Sequence, residues 1–105
     1  MANSLCRLVI GVAGLMLLAV HQSALARDLV RGQRLYNQHC AACHGLNGVP
    51  TIQEVPSFAT KERLMQPDMM LLQTVKMGKN MQPPFMGILR DEEILDILQY
   101  ARVLR

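Results

Sequence analysis

Tryptophan is absent from this chain, which has only two phenylalanines and two tyrosines. A domain of this size buries a marginal apolar core and usually needs a staple. With so few large side chains, something other than aromatic residues must fill its middle. Strong charge is missing too. The formal balance is +3, short of the basic face that a nucleic-acid binder shows. There is no phosphate-cradling loop, no nucleophile beside a base, and no pair of carboxylates set for a cleft, so the sequence speaks against an enzyme. No stretch alternates as a strand would, and there is no internal repeat.

Long apolar runs are also lacking. The one candidate, Leu8 to Val20, spans 13 residues, against the about 20 that cross a bilayer. It follows a short polar segment carrying Arg7 and precedes "HQSALA", which ends in Ala24-x-Ala26. That is the three-part layout of a secretory signal. Residues 1–26 are therefore expected to direct export to the periplasm and to be cleaved after Ala26. Residues 27–105 remain as one domain without stable membrane insertion. Cleavage removes Arg7, which lowers the net charge to +2.

Loss of the leader removes Cys6 and His21 and leaves Cys40, Cys43, His39 and His44 crowded into "NQHCAACHG". Cys40-Ala41-Ala42-Cys43-His44 is the C-x-x-C-H pattern of covalent haem attachment. The spacing has a physical reason. On a helical turn, thiols at i and i+3 share one face, placed to add to the two vinyl groups of a haem. The next residue, His44, then supplies an imidazole nitrogen to the iron. A disulfide would not explain the adjacent histidine. A thioredoxin-like pair would need a βαβ setting, and a zinc site would need four ligands, whereas a second Cys/His cluster is absent. One covalent haem c on Cys40 and Cys43 is the expected cofactor. His39, tied to the same wall, reads as a surface histidine.

The remaining pattern is helical. A first helix is expected over roughly Asp28–His39, with Leu29, Gly32 and Tyr36 on one face. A mid-helix glycine costs about 1 kcal/mol against alanine, so Gly32 implies close approach of another helix, and Tyr100 is its natural partner. Residues 45–58 carry two glycines and two prolines and should be irregular. A short turn is expected at Thr60–Leu64. Pro67-Asp68 marks the next helix start and Gly78 its stop. The last helix, "DEEILDILQYARVL", puts Ile94, Ile97, Leu98, Ala101 and Leu104 on one stripe, with acids at its dipole-favoured end.

Together these elements resemble the class I monohaem c-type cytochromes. The match runs from "GQRLY" through C-x-x-C-H-G and a Pro-containing methionine loop to the last helix. The resemblance implies an all-α fold of three to four short helices wrapped around the haem, with a Gly/aromatic helix crossing at Gly32, Tyr36 and Tyr100. It also implies a methionine ligand opposite the histidine. Here "GKNMQPPFMG" departs from the family pattern. Aligning "GKN" and "PPF" puts Gln82 where the ligand methionine belongs. Met81, one residue early, is the expected distal ligand after a small loop adjustment. Met86 is the alternative, hindered by the fixed φ of the preceding proline pair, and Met77, Gln82 and an open site stay in view. Other methionines are expected to fill gaps beside the porphyrin. The loops also resemble the small monohaem (NirC-type) cytochromes of denitrification clusters. That likeness implies a haem-d1-containing nitrite reductase, or its maturation proteins, as partner.

The expected function is periplasmic electron transfer between a redox donor and an acceptor. A weakly capped iron would instead suit a haem-based sensor, a ligand-binding protein or an assembly factor. Lys61, Arg63, Lys76 and Lys79 flank the later helices and are read as solvated charges rather than as a docking rim.

Overall fold

The computed structural model describes residues 26–105. The leader expected over residues 1–26 therefore lies outside the described residues, apart from Ala26. Helix α1 runs Leu29–His39 and opens where the Asp28 carboxylate accepts the Arg31 N–H at 2.9 Å. Its apolar face is Gly32, Leu35 and Tyr36. Leu29, expected on that face, is exposed in the first turn, with Leu35 in its place.

The chain kinks at Cys40 and makes one further turn, α2, over Ala41–His44. Residues 45–58 form an irregular loop that returns across α2. It is held by the Thr51 N–H to the Cys43 carbonyl at 3.0 Å and by the Thr51 hydroxyl to the Ala42 carbonyl at 2.6 Å. The short turn falls at Glu62–Met65 as a 3-10 helix, two residues later than expected. Helix α3 spans Asp68–Met77 and α4 spans Asp91–Val103. The start of α4 is secured where the Glu93 carboxylate accepts the Arg90 N–H at 2.9 Å.

Helices α1 and α4 cross at Gly32. A Cβ there would stand 2.3 Å from the Asp96 carbonyl oxygen and 3.2 Å from the Tyr100 Cβ. The close approach is thus to α4 backbone first and to Tyr100 second. The expected aromatic contact is present: the Tyr36 and Tyr100 rings meet edge to face at 5.4 Å. All five residues of the α4 stripe are buried. They close a core with Leu35, Tyr36, Leu64, Leu71, Leu72, Phe85 and Leu89.

Two cations expected to be merely solvated hold the fold together. The Lys61 ammonium donates to the Ala101 carbonyl at 3.1 Å and to the Leu104 carbonyl, satisfying orphan acceptors at the end of α4. Lys76 pairs with Asp91 at 2.9 Å. Among the described residues no helix is long and apolar enough to cross a membrane.

Candidate functional site: a cavity between the C-x-x-C-H turn and the Lys79–Phe85 loop

Cys40 ends α1, and Cys43 lies three residues on, within the single turn of α2. Both thiols are free, Cys40 half-buried and Cys43 exposed, and both line one cavity of about 430 Å³. Burial, helped by Cys43, pushes the Cys40 thiol up to about 12. A redox dithiol needs the opposite, a stabilised thiolate. Among the described residues no cluster of three or more His, Cys, Asp or Glu could hold a metal ion by itself.

His44, at the end of α2, is fixed in two ways. The Phe58 ring stacks on its imidazole with centroids 4.1 Å apart and planes 10° from parallel. On the edge, Nδ1 lies 3.3 Å from the Pro56 carbonyl oxygen. A carbonyl only accepts, so Nδ1 carries the proton and the Nε2 lone pair is left facing the cavity. Burial lowers the His44 pKa, opposed by the Pro56 carbonyl and by the Gln82 carboxamide. A neutral imidazole with a directed lone pair is the form that binds metal. Pro56 and Phe58 were not legible as site residues in the sequence. Their role comes from a loop return that carries no spacing signal.

The opposite wall is the loop after α3. Gly78 stops that helix at φ 76°, and a Cβ there would stand 2.7 Å from the Gln82 carbonyl oxygen. Lys79 and Gln82 then pair through two backbone hydrogen bonds, 3.1 and 3.0 Å, around a corner made by Asn80 and Met81. Farther on, the Phe85 N–H donates to Val75 and the Met86 N–H to Lys76, both at 3.1 Å. Met81 sits at the cavity mouth and is 67% exposed; Met86 is 57% and Met77 62% exposed. Gln82 is half-buried, and its amide nitrogen is buried without a hydrogen-bond partner.

Every methionine from Met65 onward is in fact exposed. The expected gap-filling falls instead to Leu64, Leu71, Val75, Phe85 and Leu98, which line the cavity. His39, expected on the surface, is half-buried at the cavity wall, its ring edge-on to Phe85 at 5.7 Å. Of the four later cations only Arg63 and Lys79 reach the cavity rim, because Lys61 and Lys76 are already engaged.

These residues fit a covalently held haem. Two thiols and a held imidazole line one cavity, its walls are largely apolar, and the Gln82 amide nitrogen is buried there without a hydrogen-bond partner.

Residues 27–100 match the family model described as cytochrome C oxidase, cbb3-type, subunit III. Cytochrome c6 of Thermosynechococcus vestitus is 34% identical over 95 residues, covering 89% of this chain and 85% of that protein. Among solved structures, the KustC0563 c-type cytochrome superposes with a TM-score of 0.62 at 31% identity, covering 69% of this chain and 94% of the other. Cytochrome c6 from the diatom Phaeodactylum tricornutum gives a TM-score of 0.56 at 29% identity, covering 72% and 92%.

Proposed function

This chain belongs to the class I monohaem c-type cytochrome family, and we propose that it works as an exported, periplasmic member of it. It is an electron-transfer protein with one covalent haem c rather than an enzyme. The observation that carries our reading of the site is the locked imidazole of His44 beside the thiols of Cys40 and Cys43 in one cavity.

When bound, the haem supplies a one-electron ferrous/ferric couple. The protein's part is to hold that couple with little reorganisation. Cys40 and Cys43 anchor the macrocycle edge to the end of α1 and to α2. Phe58 and Pro56 keep the His44 ring from rotating. Leu64, Leu71, Val75 and Leu98 keep water from one side, which favours a compact charge change over ligand exchange.

Periplasmic export is supported by the signal-like layout of residues 1–26. The partners are redox proteins. A haem-d1-containing nitrite reductase or its maturation proteins are the specific proposal, supported by loop layout.

The site reading is tested by producing the full chain in a host with haem-attachment machinery and weighing the purified protein. One haem should be added to a chain beginning at Arg27, and the haem should resist acidified-solvent extraction. Replacing Cys40 and Cys43 together by alanine should make it extractable. Recovery of unmodified wild-type protein would sink the attachment reading. The partner is tested separately, by mixing reduced protein with a haem-d1 nitrite reductase. Oxidation that slows as salt rises is expected, and no oxidation removes that partner.

A further inference from the structure

We infer that the axial group opposite His44 is the side-chain carboxamide oxygen of Gln82, with Met81 left at the protein surface. The inference rests on the covalent-haem reading above, and three independent observations carry it.

The first is register. Two backbone hydrogen bonds join Lys79 to Gln82, and Asn80 turns the corner with φ 54°. Both residues line the cavity, Met81 67% exposed at the corner and Gln82 half-buried in the pair. Met81 is a corner residue; Gln82 is a paired one. Shifting the Met81 backbone into the place of Gln82 would break both hydrogen bonds. The slack for that movement is missing on the far side as well. Pro83 and Pro84 hold their φ angles, and the Phe85 and Met86 N–H groups are tied to the end of α3. Gly78 lets the loop pack close enough for this, since any Cβ there meets the Gln82 carbonyl.

The second observation is burial. Met77, Met81 and Met86 are all more than half exposed, whereas the Gln82 amide nitrogen is enclosed. A buried polar atom without a partner costs about 1–3 kcal/mol and calls for an explanation. The third is position. Gln82 lines the same cavity as His44, on the wall formed by the loop after α3. The carboxamide therefore stands on the wall of the cavity into which His44 also projects. Its oxygen and nitrogen exchange places by rotation of the terminal torsion. Either way the group presented is an amide, and only its oxygen has a lone pair to give.

The substitution changes the chemistry of the couple. A thioether is a soft donor and, paired with histidine, raises the reduction potential. An amide oxygen is harder and favours the ferric state. The potential should lie below that of the same protein carrying methionine at position 82, and the weaker ligand should yield to small molecules.

The test uses the full-length holoprotein. Covalent haem is first established by mass, so that a failure of attachment is seen separately from a failure of this assignment. The ferric absorption spectrum is then recorded. Wild type should lack the weak long-wavelength sulfur-to-iron band. Gln82→Met should acquire it and show a higher midpoint potential. Gln82→Ala should move the ferric electron paramagnetic resonance signal toward high spin, and Met81→Ala and Met86→Ala should leave spectrum and potential as in wild type. Carbon monoxide should bind the reduced wild type faster than the reduced Gln82→Met protein. A sulfur band in wild type that disappears in Met81→Ala or Met86→Ala overturns the inference. So does a Gln82→Ala protein whose ferric signal matches wild type.

Discussion

Gly32 lies against the Asp96 carbonyl so closely that a methyl group at Gly32 would come within 2.3 Å of that oxygen. The contact is with backbone, which cannot swing aside as a side-chain tip would. Gly32→Ala gains about 1 kcal/mol of helix propensity and forces α1 and α4 apart, an overpacking cost of about 1–3 kcal/mol. A net loss of stability is expected, read as a lower thermal midpoint of the holoprotein. An unchanged midpoint would show that the crossing is looser than the structure has it.

The same crossing carries an ion pair with unequal partners. The Asp96 carboxylate is 2% exposed, receives Arg31 Nε at 2.7 Å and Nη2 at 2.6 Å, and also accepts the Asp28 N–H at 3.1 Å. Arg31 can turn to water; Asp96 cannot. Removing the partner of a buried charge costs more than removing the charge. Arg31→Met should therefore lower the denaturation midpoint more than Asp96→Asn, which keeps the Asp28 contact. Equal drops would mean that the guanidinium does not serve the carboxylate.

Tyr36 connects core and site. Its hydroxyl is buried and donates to the Gly45 carbonyl at 2.7 Å, just beyond His44. Tyr36→Phe strands that carbonyl, at about 1–3 kcal/mol. Burial, with help from Cys40 and Tyr100, pushes the phenol from its usual value up to about 12. A folded-state value above the unfolded one protects the neutral form. Its contribution is complete below about pH 10 and is lost as pH rises through about 12. Wild type should lose stability across that window more steeply than Tyr36→Phe, as followed by denaturant titration at stepped pH. Parallel curves would remove Tyr36 from the account.

The stacked pair of Phe58 and His44 invites a different measurement. Phe58→Ala removes a half-buried ring and should cost about 2 kcal/mol. More specifically, it frees the imidazole to rotate about its Pro56 hydrogen bond. Broadened or doubled haem-ligand resonances in the nuclear magnetic resonance spectrum are expected, with Phe58→Tyr restoring single lines. Sharp, unshifted lines in the alanine variant would show that Pro56 alone sets the ring.

Cys40, Cys43 and His44 were legible from sequence because their chemistry is local. Thiols three residues apart with a histidine next to them share one helical turn whatever surrounds them. The α4 stripe was legible for a similar reason, since a 3.6-residue period survives without knowledge of its partner. Gly32 also signalled a close helix contact. That the nearest atoms belong to the Asp96 carbonyl, with the Tyr100 Cβ next, depended on how α1 and α4 settle against each other.

The Lys79–Phe85 loop was decided by tertiary structure. From Lys79 to Met86 the sequence offers Met81, Gln82 and Met86, and no periodicity ranks them. What the structure adds is the loop's register, set by the pairing of Lys79 with Gln82, the tie of Phe85 to Val75 at the end of α3, and the contact at Gly78. The same holds for Lys61 and Lys76, which composition alone would leave as solvated charges. They are committed because α4 places carbonyls and a carboxylate beside them. By itself the sequence determined that this chain has a C-x-x-C-H site on a helical domain. The register of the loop across the cavity came only with the tertiary structure, because backbone hydrogen bonds to the end of α3 and the pairing of Lys79 with Gln82 set it, and no residue pattern encodes them.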